Sequence, residues 1–138
     1  MSKRIIISRS SPSSYAYLPV AVLVGPEAAE QMRQVQALVD TGADHTVIRA
    51  SILAELGIAT TGRKLNFTGA GAAGQVSTAV VRLGFEGSNE LGARATLVNT
   101  KEVGVASHLT EEMIVGLDVL RCFDVSFLRS GRVTLEWG

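Results

Sequence analysis

Apolar runs in this chain are short, and they stop on turn-forming residues. LPVAVLVG ends at Gly25-Pro26, VQALV at Asp40, MIV at Gly116, and DVSFL shortly before Ser130-Gly131. In the last run, RVTLEW, Val133, Leu135 and Trp137 alternate with Arg132, Thr134 and Glu136, so one face of an extended strand is apolar. Helical spacing is confined to RASILAELGI and LDVLRCF, each only long enough for a short helix, the first with Gly57 where a C-terminal cap belongs. Many short strands with no strand–helix–strand rhythm predict an all-β domain, a closed barrel-like sheet with one or two short helices.

Along the chain, residues 1–14 are expected to form a flexible N-terminal segment, with SRSSPSS as its polar linker, and 15–138 a single domain. LPVAVLVG and VQALVD pair as antiparallel strands, joined by PEAAEQMRQ as a charged connection or helical turn. KLNF and QVSTAVVRLGF flank TGAGAAG and read as a hairpin with a glycine-rich tip. ARATLVN and MIVG are further strands, VGVASHLTEE is a loop, and DVSFL with RVTLEW closes the chain as a hairpin.

Charge excludes one class of partner. Lys+Arg and Asp+Glu are 13 each, which leaves no electrostatic footprint for nucleic acid or an acidic membrane surface. Only Ile5, Ile6 and Ile7 follow the basic start, short of the roughly 7–15 apolar residues of a secretory signal. No run approaches the ~20 of a membrane helix. With Cys122 as the one cysteine no intrachain disulfide forms, and a cytoplasmic location is favoured.

The chemistry concentrates in ALVDTGADHTVI. An apolar strand ends on Asp40, Gly42 lets the backbone turn without a Cβ, Thr41 offers a hydroxyl, and a β-branched strand resumes at Thr46. Apolar strands on both sides hold such a loop rigid and half-buried, where a carboxylate can act as acid or base. An Asp at a strand end is more often a turn former than a catalyst, so the neighbours decide.

Those neighbours resemble the active-site segment of the retropepsin-like aspartic proteases: two apolar residues, Asp-Thr-Gly-Ala, then a β-branched strand. A glycine-rich hairpin about 30 residues downstream corresponds to that family's flap. MIVGLDVL resembles its second signature, an apolar strand, a glycine and a short helix opening with an acid or amide. The resemblance covers roughly residues 18–137 and is closest to a single-domain member of bacterial type. It implies an endopeptidase with Asp40 as the catalytic carboxylate and with Thr41, Gly42, Ala43, Gly116 and Asp118 supporting the loop. It implies substrate contacts from Gly42, Asp44 and the tip residues Gly69, Ala70, Gly71 and Ala72. Thr41 inherits a hydrogen bond across to a second chain. No cofactor and no metal are called for.

Hydrolysis by carboxylates alone needs two of them, one accepting a proton from water as the other gives one to the carbonyl oxygen. Asp-Thr-Gly occurs once in the chain. A second copy must therefore supply the partner, and a two-fold homodimer across the Asp40 loop, acting on a peptide or protein substrate, is the economical form. RVTLEW is expected to offer its edge to an interchain sheet. The alternative is a catalytically silent peptide-binding or dimerisation module on the same fold.

Other chemistry has less to stand on. GAGAAG satisfies G-x-G-x-x-G, but Val76, Thr78, Val80 and Val81 follow it where a dinucleotide site needs a helix. His45, His108 and Cys122 lack zinc-site spacing. His45 reads as a partly exposed strand residue and Cys122 as core. Asp118 opens a short helix, where a carboxylate commonly receives free N–H groups. SRSSPSSYAYLPV is a candidate removable leader.

Overall fold

The computed structural model describes residues 3–8, 18–69, 72–88, 94–129 and 132–137. They form a ten-stranded sheet and two short helices. In order these are β1 (Lys3–Ser8), β2 (Leu18–Pro26), β3 (Arg33–Val39), β4 (Val47–Arg49), α1 (Ala50–Glu55), β5 (Lys64–Gly69), β6 (Ala72–Ser88), β7 (Arg94–Ala106), β8 (Met113–Val115), α2 (Leu117–Leu120), β9 (Asp124–Phe127) and β10 (Arg132–Trp137).

The sheet runs β2-β3-β8-β4-β7-β6, and β6 pairs back onto β2, closing a six-stranded barrel. Closure removes the edges that those strands would otherwise expose. Alternation decides which side chains point inward. In β3, Val35, Ala37 and Val39 are buried while Gln34 and Gln36 are exposed. Ala79, Val81, Leu83 and Phe85 of β6 meet them from across the barrel, with Val103, Met113 and Val115 completing the centre. Each of the buried Val, Leu, Phe and Met side chains contributes about 1.5–3 kcal/mol by leaving water.

Helix α1 plugs this core with Ile52 and Leu53 and ends as its sequence predicts. Gly57 takes φ +68°, the Ile58 N–H donates to the Leu53 carbonyl at 2.9 Å, and the Gly57 N–H to that of Ala54 at 3.2 Å. That is the Schellman arrangement, which satisfies carbonyls the helix itself leaves open.

Beyond the barrel the sheet continues from β6 through β1 and β10 to β9. Lys3–Ser8, expected to belong to a flexible segment, pair antiparallel with β10 from Lys3↔Trp137 to Ser8↔Arg132. The short run Ile5-Ile6-Ile7 is strand-forming once a distant strand is present to receive it. Residues 9–14 of that segment lie outside the described residues. The expectation that RVTLEW is a free edge is corrected by the same pairing: β10 has β1 on one side and β9 on the other.

Of the two forms expected of PEAAEQMRQ the structure has the connection, a turn at Glu27 and Ala28 between β2 and β3. VGVASHLTEE, expected as a loop, differs: Val103–Ala106 extend β7 by pairing with β4 and β6. The hairpin of β5 and β6 is present and in register to Gly69↔Ala72. Ala70 and Gly71, which join them, lie outside the described residues, as do residues 89–93 between β6 and β7 and 130–131 between β9 and β10. Among the described residues no helix is long and apolar enough to cross a membrane.

Candidate active site

Asp40 stands at the end of β3, half-buried, where the strand leaves the barrel. Its N–H donates to the Val115 carbonyl of β8 at 3.0 Å, continuing the parallel pairing that ends at Val39↔Val115. One carboxylate oxygen, Oδ1, accepts the Gly42 N–H at 2.8 Å, and the Asp40 carbonyl accepts that of Ala43 at 3.2 Å. These bonds curl the chain into a tight turn around its own acid. Gly42 leaves room there, because a Cβ would lie 3.2 Å from Oδ1, close enough to press the carboxylate aside by a few tenths of an ångström. Oδ2 makes no hydrogen bond among the described residues. Thr41, Gly42 and Asp44 are exposed, while Ala43 faces inward and is buried.

A second segment braces the turn. The Leu117 N–H donates to the Ala43 carbonyl at 2.8 Å and the Asp118 N–H to that of Asp44 at 3.1 Å. Close approach of these backbones demands Gly116, since a Cβ there would meet the His45 carbonyl group at 2.7 Å and the Ala43 oxygen at 2.8 Å. No substitution fits without moving the loop.

Beneath the turn lies a compact polar knot. Asp118 Oδ1 accepts from the Thr46 N–H at 2.9 Å, the Thr46 hydroxyl at 2.7 Å and the Val119 N–H at 2.8 Å. The Thr46 hydroxyl in turn accepts the Gly116 N–H at 3.0 Å. Thr46 is fully buried, and the knot satisfies its hydroxyl completely. Its carbonyl takes the Gly104 N–H of β7 at 2.9 Å, so one residue ties the loop to α2, β8 and β7. Asp118 thus serves N–H groups, as its position at the start of a short helix predicts. Sequence reasoning passed over Thr46 as one more β-branched strand residue. The available signal was a hydroxyl at the junction of loop and strand, six residues after the acid.

The structure brings Asp40, Thr41, Gly42, Ala43 and Asp44 together with Gly116 and Asp118. Gly69 and Ala72 sit at the ends of their hairpin strands, and the Ala70 and Gly71 positions fall outside the described residues. Beside the loop, a cavity of about 330 Å³ is lined by His45, Leu65, Thr78, Thr100, Lys101, Glu102 and Asp118. A larger one of about 410 Å³ shares Thr100 and Lys101 with it and continues over Leu83, Phe85, Val119 and Phe123. His45 therefore lines a cavity, and Cys122, expected in the core, is exposed. Among the described residues no three His, Cys, Asp or Glu side chains are grouped to hold a metal ion.

Residues 29–122 match the family described as "gag-polyprotein putative aspartyl protease". That span holds the Asp40 loop, the β5–β6 hairpin and α2. Among solved structures the chain is similar to a retropepsin-like aspartic protease from Rickettsia conorii, at 19% identity and TM-score 0.54 over 99% of this chain and 92% of that one. It is also similar to the retroviral protease-like domain of Ddi1 from Leishmania major, at 14% identity and TM-score 0.39 over 79% and 80% of the two chains. The Rickettsia likeness shows the retropepsin-like fold. Comparison with curated protein sequences gives no match.

Proposed function

This chain belongs to the gag-polyprotein aspartyl protease family, and on that premise we propose that it is an aspartic endopeptidase acting as a homodimer, with Asp40 of each copy forming the catalytic pair. The observation that carries the reading is the state of Asp40: a carboxylate at a strand end with its backbone pinned, Oδ1 engaged by the Gly42 N–H and Oδ2 open. A preorganised acid of this kind needs no rearrangement at the moment of reaction. The chain supplies one such group, so the pair is intermolecular.

In the dimer two carboxylates about 3 Å apart share one proton, because both cannot ionise at that distance. The ionised one takes a proton from a water lying between them as the water oxygen attacks the scissile carbonyl. The protonated one gives its proton to the carbonyl oxygen. Collapse of the tetrahedral intermediate breaks the C–N bond, with a proton passing to the leaving nitrogen. Exposed Thr41 bonds across the two-fold axis, the Gly42 carbonyl and the Asp44 side chain hold the substrate backbone, and Gly69–Ala72 form the tip of a flap above it. Gly116 and Asp118 support the loop.

The test is a mixing experiment. Asp40→Asn protein is expected to fold, to dimerise and to cut no peptide. Titrated into wild-type protein under exchanging conditions, it should depress activity as mixed dimers form, since each carries one carboxylate. Residual activity equal to the undiluted wild-type fraction would show that each chain works alone. Peptides bound but never cut by wild-type dimer would instead identify a silent binding module.

A further inference from the structure

We propose that the cavity of about 330 Å³ beside the Asp40 loop is a subsite for an acidic side chain of a peptide, with Lys101 and His45 as its hydrogen-bond donors. The proposal rests on the protease reading for the presence of a peptide and adds which side chain it carries there. The cavity's walls come from four places: His45 at the end of the Asp40 loop, Leu65 and Thr78 at the base of the β5–β6 hairpin, Thr100–Glu102 of β7, and Asp118 of α2. A peptide lying between loop and hairpin reaches it with one side chain.

The charges inside are unequally committed. Glu102 Oε2 accepts the Thr78 hydroxyl at 2.7 Å and lies 3.4 Å from Arg63 Nε, so its charge is already met. Asp118 accepts three donors of Thr46 and Val119 on Oδ1, and its Oδ2 makes no hydrogen bond among the described residues. Lys101 Nζ makes one bond, to the Asp118 backbone carbonyl at 3.3 Å, and no ion pair among the described residues. An ammonium has three donors, so two remain for a guest. The half-buried His45 ring makes no hydrogen bond among the described residues. Of the three charges, that of Lys101 is the least committed, with one bond and no ion pair among the described residues, and this favours a guest that accepts. A carboxylate meets both donors through charge-assisted bonds, whereas a guest ammonium would be set against that of Lys101.

Binding to the Asp40→Asn dimer tests this without requiring turnover. Three peptide series with randomised flanks carry Glu, Gln or Lys at one fixed position, and Kd is read by fluorescence anisotropy. The Glu series is expected to bind about tenfold tighter than the other two, in line with a charge-assisted bond. Lys101→Glu should invert the order in favour of the Lys series, and His45→Ala should narrow the gap between Glu and Gln. Lys101→Met, which keeps the aliphatic stem, should abolish the preference and serves if Lys101→Glu fails to fold. Equal Kd across the three series, a Glu preference that survives both Lys101 variants, or no binding at all overturns the subsite. Wild-type cleavage is scored separately. Selective binding without cleavage removes the protease reading and keeps the subsite, and cleavage without selectivity does the reverse.

Discussion

Thr46 and Asp118, 72 residues apart in the chain, are joined twice, by the Thr46 N–H and by its hydroxyl, both onto Asp118 Oδ1. This contact carries the turn that holds Asp40, because the same hydroxyl receives the Gly116 N–H. Thr46→Val preserves shape and removes the hydroxyl, leaving the buried Gly116 N–H unpaired. It is expected to cost about 1–3 kcal/mol, read from urea unfolding, and to lower kcat/KM. Thr46→Ser keeps the hydroxyl and should cost less. A valine variant as stable as wild type would contradict the assignment.

Asp118→Asn retains an acceptor oxygen for all three donors and loses only the charge. Stability is expected to fall by roughly 1 kcal/mol or less, since bonds to a charged acceptor are about twice as strong as neutral ones. Asp118→Ala strands three donors at once and should cost several times as much. Equal losses in the two variants, measured by thermal and chemical unfolding, would mean that charge and not geometry matters.

Gly116→Ala places a methyl group 2.7 Å from the His45 carbonyl group. Overpacking of this kind costs about 1–3 kcal/mol, and here the strain falls on the Asp40 loop, so cleavage should drop more than stability. Gly74→Ala is the control for stability, because a Cβ there meets nothing within 4 Å. If Gly116→Ala cleaves peptides as well as wild type, the close approach at Gly116 has no functional weight.

Gly57→Ala tests the helix stop in isolation. A left-handed residue with open space around it loses conformational fit and gains no clash. The expected penalty is about 1 kcal/mol, visible as a lower melting temperature with kcat/KM unaltered.

Removal of residues 1–8 probes the strand that links barrel and terminal hairpin. Since β10 reaches β6 only through β1, the truncated chain should melt at lower temperature and aggregate more readily through the two bared edges. An unchanged melting curve would make β1 dispensable.

Much of this was legible from residue patterns. The alternation in RVTLEW and VQALV marks strands because period two is a local property. Asp40 and Gly42 stand out because an apolar run stops on them, and Gly116 and Asp118 through the resemblance of MIVGLDVL to the family's second signature. What escaped was non-local. The role of Thr46 depends on a partner 72 residues away, and a buried threonine in a β-branched run looks like any other core residue. Ile5–Ile7 look too short to matter until β10 is laid beside them, and the same partner removes the free edge expected of RVTLEW. His45 gains its place only when β5, β6 and β7 close around it.

The pairing of β1 with β10 has a topological consequence. With Lys3 opposite Trp137, the strand that opens the fold and the strand that ends it are antiparallel neighbours, like the two arms of a hairpin lacking its turn. A bridge of a few glycines from one to the other makes a continuous ring, which can be reopened among the exposed residues 27–31 without breaking any strand pairing. Such a circular permutant carries its new ends on the β2–β3 turn, so tags and fusion partners can be moved there while the terminal sheet is left undisturbed.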